Sequence, residues 1–235
     1  MHVPKKNGIN PLTGKRYQWE AEQAAAKAQD PEVKQLHKQI ALLKRQKKAL
    51  EASTRFMPFI KFTSPHPEDP NDVERSKYEN ARHHDAVALV IEKVVEGEIP
   101  FLILEMPPRH GKSEQVSRRL PAWYIGRFPH ENIVVGTYND DFAADFGKDV
   151  RNIMSTSQYK QVFPDVKLQR GGAASDRLQT TKGGQLSFVG RGGSLTGRGA
   201  HLLILDDLIK DDTEAQSKAI RDKAWNWFTK VAMSR

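Results

Sequence analysis

An α/β fold, with a mainly parallel central sheet flanked by helices and a basic N-terminal helix, is what the sequence predicts. Three apolar runs carry the prediction: residues 101–105, 132–137 and 201–205 each have strand length. The first two lead into helical patterns over 112–126 and 140–154. Parallel strands need crossovers of about a dozen residues or more, and these helices supply them.

Composition sets the outer bounds. With 235 residues and 38% hydrophobic content, the chain can bury one sizeable core and carry an appendage. Cysteine is absent, which excludes disulfides and thiolate metal sites, and the eight histidines show no paired spacing suited to zinc. No apolar run approaches the roughly 20 residues that span a bilayer, and Met1-His2-Val3-Pro4 does not begin a secretory signal, so a soluble intracellular protein is expected. A net charge of +8 and a pI of 9.6 favour a polyanionic partner.

In chain order, residues 1–28 are polar and broken by Pro4, Gly8, Pro11 and Gly14, which predicts an arm. A helix follows over 31–52, where Val33, Leu36, Ile40, Leu43 and Leu50 form an apolar seam interrupted by Lys47. Lys34, Lys38, Lys44, Arg45 and Lys48 crowd its other faces. This helix reads either as a short coiled coil or basic contact surface for DNA or a partner, or as a solvated helix packed on its own domain. Residues 1–55 thus form an arm and basic amphipathic helix, and 56–235 the α/β domain. Prolines break the chain over 64–70, a helix over 85–96 ends at Gly97, and strands at 177–181 and 185–189 flank Lys182-Gly183-Gly184 as a hairpin.

The first apolar run leads into Met106-Pro107-Pro108-Arg109-His110-Gly111-Lys112-Ser113-Glu114, which ends as a phosphate-binding P-loop ends. In such a loop the backbone of residues 107–114, with N–H donors from all but Pro107 and Pro108, and the following helix N-terminus surround the phosphates. Lys112 would reach the β/γ oxygens, and the Ser113 hydroxyl would sit on Mg²⁺. The usual pattern has glycine five positions before Gly111; here that residue is Met106.

The third run ends in Asp206-Asp207. Alone, two aspartates after a strand would read as a helix cap or turn. Downstream of a P-loop they read as its complement, with Asp206 holding Mg²⁺ beside Ser113 and Asp207 orienting or deprotonating the attacking water. This is the P-loop NTPase arrangement with a catalytic carboxylate, the ASCE type, and it implies ATP and Mg²⁺. Charge stabilisation at the γ-phosphate calls for arginine, and the candidates are Arg109 in the loop and Arg191 or Arg198 in the glycine-rich segment before the Asp206-Asp207 strand. Phe62, Tyr78, His83 and His84 are aromatic candidates for an adenine pocket or, equally, for core packing.

Over residues 56–235 the sequence resembles the ATPase domain of tailed-phage and prophage terminase large subunits. The resemblance is carried by Met106 to Glu114, Pro121 to Gly126, Thr137-Tyr138, Phe142 to Arg151, Phe163-Pro164, Gly183-Gly184, Thr196 to Ala200, Leu203 to Asp207, Ile209 to Asp211 and Ala224 to Phe228. That family has a glycine-poor loop with an arginine before Gly-Lys-Ser/Thr, which accounts for Met106. The resemblance implies ATP hydrolysis that drives double-stranded DNA into a procapsid. It also implies partnership with portal protein and terminase small subunit, a homo-oligomeric ring in the host cytoplasm that docks transiently at the portal vertex, and no membrane. Arg198 matches the position of an arginine donated in trans in some relatives, with Arg191 as the reserve. The family continues into a coupling strand and a nuclease domain; the sequence stops at Arg235 before both, so an ATPase domain without them and no DNA cleavage are expected of this chain. Two other readings are a helicase-like P-loop ATPase and a nucleotide-binding packaging fragment without efficient turnover.

Overall fold

The computed structural model describes residues 30–169, 176–193 and 199–232. Two compact units divide the chain, Met1–Lys47 and Lys48–Arg235. Within the first, the described residues form the leading part of helix α1 (Pro31–Thr54), which Asp30 caps by accepting the Glu32 N–H at 2.8 Å. Leu36, Ile40 and Leu43 are exposed there, so the apolar seam is left uncovered.

The second unit is a mixed α/β body with a four-stranded, mostly parallel sheet in the order β2-β3-β1-β4. Its strands are β1 (Asn132–Thr137), β2 (Arg177–Gln179), β3 (Gln185–Gly190) and β4 (Leu202–Leu205). β1 lies centrally and pairs in parallel with β3 (Val134↔Ser187) and with β4 (Val134↔Leu203). β2 and β3 form the predicted antiparallel hairpin, and Gly183 takes φ +98° in its turn, a value that favours glycine.

Side-chain alternation assigns the two faces of the sheet. Ile133, Val135, Leu186, Phe188, Leu202 and Ile204 enter the main core, while Val134, Val189, Leu203 and Leu205 pack around Trp227. Trp227 comes from helix α8 (Lys218–Trp227), which follows the short α7 (Asp212–Gln216), and its indole N–H donates to the Gly193 carbonyl at 3.0 Å. Helices therefore cover both faces.

The main core gathers the end of α1 (Ala49, Ala52), α2 (Phe56–Phe62), α3 (Arg82–Val95), α4 (Leu120–Arg127), α5 (Asp140–Ser155) and α6 (Ser157–Val162). Trp123 of α4 is fully buried and donates its indole N–H to the Ala52 carbonyl at 3.0 Å. Helix α2 borrows its cap from α3: Glu92 accepts the Phe56 N–H at 2.7 Å and the Arg55 guanidinium at 2.8 Å. A helix this short has four orphan N–H groups and little else to hold its start, so a distant carboxylate serves in place of a local one. Helix α3 ends at Gly97 as predicted: Gly97 takes φ +79°, and the Gly97 and Glu98 N–H groups close back onto Val94 and Lys93. Among the described residues no helix is long and apolar enough to cross a membrane.

One predicted element does not form. Residues 101–105 are apolar as expected but unpaired, with Phe101 77% and Ile103 88% exposed. A groove of about 1170 Å³ lies between residues 99–106 and residues 200–207 at the free edge of β4. A ladder requires neighbouring strands about 4.8 Å apart, and across this groove residues 101–105 make no ladder with β4. An apolar run shows only that a segment is suited to burial; pairing depends on a neighbour that the run does not itself supply.

Candidate functional site

The loop and the carboxylate pair meet at the C-terminal edge of β4. Lys112 Nζ lies 2.7 Å from Asp207 Oδ1 and 3.1 Å from Asp206 Oδ1, so the residues predicted to serve one phosphate site converge on one ammonium. Partial burial works against the Lys112 charge, but the hydrogen bond to Asp207 and the field of Asp206 outweigh it and hold its pKa above the ordinary lysine value. Asp206 is 3% exposed, whereas the Asp207 side chain is 59% exposed. The first carboxylate is therefore buried and fixed, and the second faces solvent.

Backbone strain marks the same two segments. Among the described residues only Arg109 (φ +62°) and Asp207 (φ +49°) combine a side chain with positive φ. Such conformations cost on the order of 1 kcal/mol or more and persist where surrounding contacts enforce them. The loop alternates Arg109 with Gly111 (φ +82°), which turns the chain into the helix beginning at Lys112. Gly111 is also hemmed in, since a Cβ there would stand 2.8 Å from His84 Nε2. Gly111→Ala is expected to cost ~1–3 kcal/mol and lower Tm by several degrees, measured by thermal unfolding.

A histidine from α3 props the loop. The Ala81 N–H donates to His84 Nδ1 at 3.0 Å, which leaves Nε2–H to donate to the His110 carbonyl at 3.0 Å. His110 in turn donates from Nδ1 to the Pro108 carbonyl at 2.8 Å. Tyr78 and His83 ring this group, at centroid distances of 5.6 and 4.0 Å from His84. Three of the four aromatic candidates thus gather beside the loop, while Phe62 belongs to the core.

Beyond the loop the chain enters a π-helical segment, Glu114–Arg119, before continuing as α4. Three successive side chains there are tied to different elements. Ser117 Oγ donates to Asp206 Oδ2 at 2.6 Å, Arg118 Nε to Asp149 at 2.6 Å, and Arg119 Nη1 to Thr63 Oγ1 at 3.0 Å. Wide π turns of this kind are frequent at functional sites. Glu114, predicted to line the phosphates, turns its carboxylate to Arg119 Nε at 2.8 Å, which leaves its backbone N–H as the group available to the loop.

Pro107, Pro108, Arg109 and His110 are exposed on the loop, and Ser113 lies in the first turn of the helix. Asp206 takes its hydroxyl hydrogen bond from Ser117, one turn beyond Ser113. Sequence reasoning missed Ser117, although its four-residue spacing from Ser113 was visible. Arg198 lies outside the described residues. Arg191, the reserve arginine, is engaged within the chain: it donates to the Leu208 carbonyl at 2.8 Å and forks onto Glu214 at 3.0 and 3.2 Å. That fork lowers the Glu214 pKa and staples the segment after Asp207 to α7.

The donor set suits a hard cation. Ser113 and Asp206 offer hydroxyl and carboxylate oxygens, the ligands Mg²⁺ selects, and the Lys112 ammonium already rests against the carboxylate pair. Searches among curated proteins and among solved structures each returned no match. The model of the terminase large subunit, T4likevirus-type, N-terminal family matches residues 103–235, more than half of the chain. The loop, the Asp206-Asp207 strand and the tryptophan-bearing helix all fall inside that match, and the chain therefore belongs to the terminase large subunit family, which acts in viral DNA packaging.

Proposed function

We propose that the chain is a P-loop ATPase of the ASCE type whose hydrolysis of ATP drives double-stranded DNA into a procapsid. The observation that carries this reading is the convergence of Lys112, Asp206 and Asp207. Residues 95 positions apart in the chain are brought to hydrogen-bond distance at the end of a parallel strand.

The roles follow from charge and position. Backbone N–H groups of the loop and the helix start bind the phosphates, and Lys112 shifts from the carboxylates to the β/γ oxygens. Ser113 and Asp206 would hold Mg²⁺, which when bound neutralises phosphate charge. Asp207, solvent-facing, accepts the proton of the attacking water. Arg109 on the strained loop turn places positive charge beside the γ-phosphate, and Arg198 remains the candidate donated by a neighbouring subunit. The ring, the portal protein and the small subunit belong to this reading, as does transient location at the portal vertex. Phosphate release that DNA stimulates without strand separation is the expected signature; coupled unwinding would favour a helicase instead.

The basic α1 gives a separate test of DNA contact. The core takes up Ala49 and Ala52, so a deletion should end at Lys47. Removing residues 1–47 is expected to flatten the dependence of DNA affinity on salt, measured as the slope of log K against log salt. An unchanged slope assigns this helix to protein contacts.

A further inference from the structure

We propose that Ser117 is a positioning residue for Asp206, holding that carboxylate in place while Lys112 moves between the carboxylates and the phosphates. The inference rests on the ATPase reading and extends it to a residue outside the loop and strand motifs.

The two Asp206 oxygens have different partners. Oδ1 meets Lys112 Nζ at 3.1 Å, and Oδ2 accepts from Ser117 Oγ at 2.6 Å. Only the first partner is required elsewhere during the reaction. An ammonium that binds β/γ oxygens cannot also stay on both carboxylates, so Oδ1 of Asp206 gives up this partner and is left to the Mg²⁺ that Ser113 and Asp206 would hold. At 3% exposure Asp206 has little water to hold it in place through that change of partner. Ser117, itself fully buried, remains. Its hydroxyl is neutral, so it fixes Oδ2 without competing for the charge that Oδ1 presents to the site.

Ser117 is also in a position to act as a rigid post. It lies within the π-helical segment, and the next two residues are pinned, Arg118 to Asp149 and Arg119 to Thr63 and Glu114. The Asp206 backbone is held in turn by its N–H on the Gly136 carbonyl at 2.9 Å. The carboxylate is therefore fixed from its backbone and from one oxygen, leaving the other oxygen free to change partner. Outer partners of metal-bearing carboxylates commonly change affinity or activity by about 10- to 100-fold when removed.

The test uses the full chain and a fluorescent ATP analogue, titrated in Mg²⁺ and in EDTA. The ratio of the two Kd values reports the metal-dependent gain in affinity, and thermal unfolding is followed in parallel. For Ser117→Ala this ratio is expected to fall at least about tenfold, while Kd in EDTA stays within about twofold. Ser117→Thr, which keeps the hydroxyl, is expected to recover most of the gain. Should Ser117→Ala fail to fold, Ser117→Cys, with similar shape and a weaker donor, is read the same way. A wild-type ratio in Ser117→Ala, with or without a lower Tm, overturns the proposal and leaves Ser117 a packing residue. Absence of nucleotide binding by the wild-type chain in both media overturns the ATPase reading beneath it, a result distinct from failure at Ser117 alone.

Discussion

Lys112→Ala is expected to weaken nucleotide binding by roughly 100-fold, the equivalent of one strong charge-assisted hydrogen bond. Two effects act in the same direction. The phosphates lose the ammonium that would reach their β/γ oxygens, and Asp206 and Asp207 are left side by side without the cation that joins them at 3.1 and 2.7 Å. Uncompensated, the carboxylate pair also repels the incoming triphosphate. A second readout separates these contributions: removing one partner from a largely buried ion pair destabilises the fold, so Tm should fall by several degrees even without nucleotide. Lys112→Arg restores charge but not shape, since a planar fork does not replace a compact ammonium in a loop of this size. It is expected to regain Tm more fully than affinity. Unchanged affinity in Lys112→Ala, by equilibrium titration, would remove the loop from the nucleotide site.

Much of the site was legible because its chemistry is local in sequence. Gly111-Lys112-Ser113 and Asp206-Asp207 each announce their role by residue type, and the helix and strand between them indicate that both reach one sheet edge. The fold was legible where periodicity and punctuation agree, as for β1, α5 and the Gly97 stop. It was not legible where a partner decides. Residues 101–105 have the composition of a buried strand, yet pairing depends on the distance to β4, which no local pattern encodes. The cap of α2 comes from Glu92, 36 residues away, and Asp206 is held by Ser117, 89 residues away. Arg191 reads in sequence as a reserve candidate for the γ-phosphate, and only the fold shows Glu214 and Leu208 engaging it. Long-range side-chain partners are set by packing, and packing is what a single sequence states least directly.

Asp207→Ala provides the sharper division between binding and turnover. General-base assistance contributes about 10²- to 10⁴-fold, so phosphate release should fall by at least about 100-fold. Affinity should move the other way or not at all: Asp207 holds Lys112 at 2.7 Å, and removing it releases the ammonium for the phosphates. Alanine tolerates the φ of +49° at residue 207 no better than aspartate, so the substitution relieves no backbone strain and any change in stability should be small. A residue that merely capped the strand would lower stability and leave the ratio of kcat to binding intact. The expected pattern is nucleotide Kd equal or tighter, Tm nearly unchanged and kcat lost. Equal phosphate release by wild type and Asp207→Ala would sink the catalytic assignment. Because the side chain is one methylene shorter than glutamate, Asp207→Glu probes reach directly: at a fixed water position it either lengthens into better alignment and raises kcat, or crowds Lys112 and raises KM. The Lys112–Asp207 contact makes the second outcome the expected one, since the longer carboxylate keeps the ammonium on the protein when the phosphates require it.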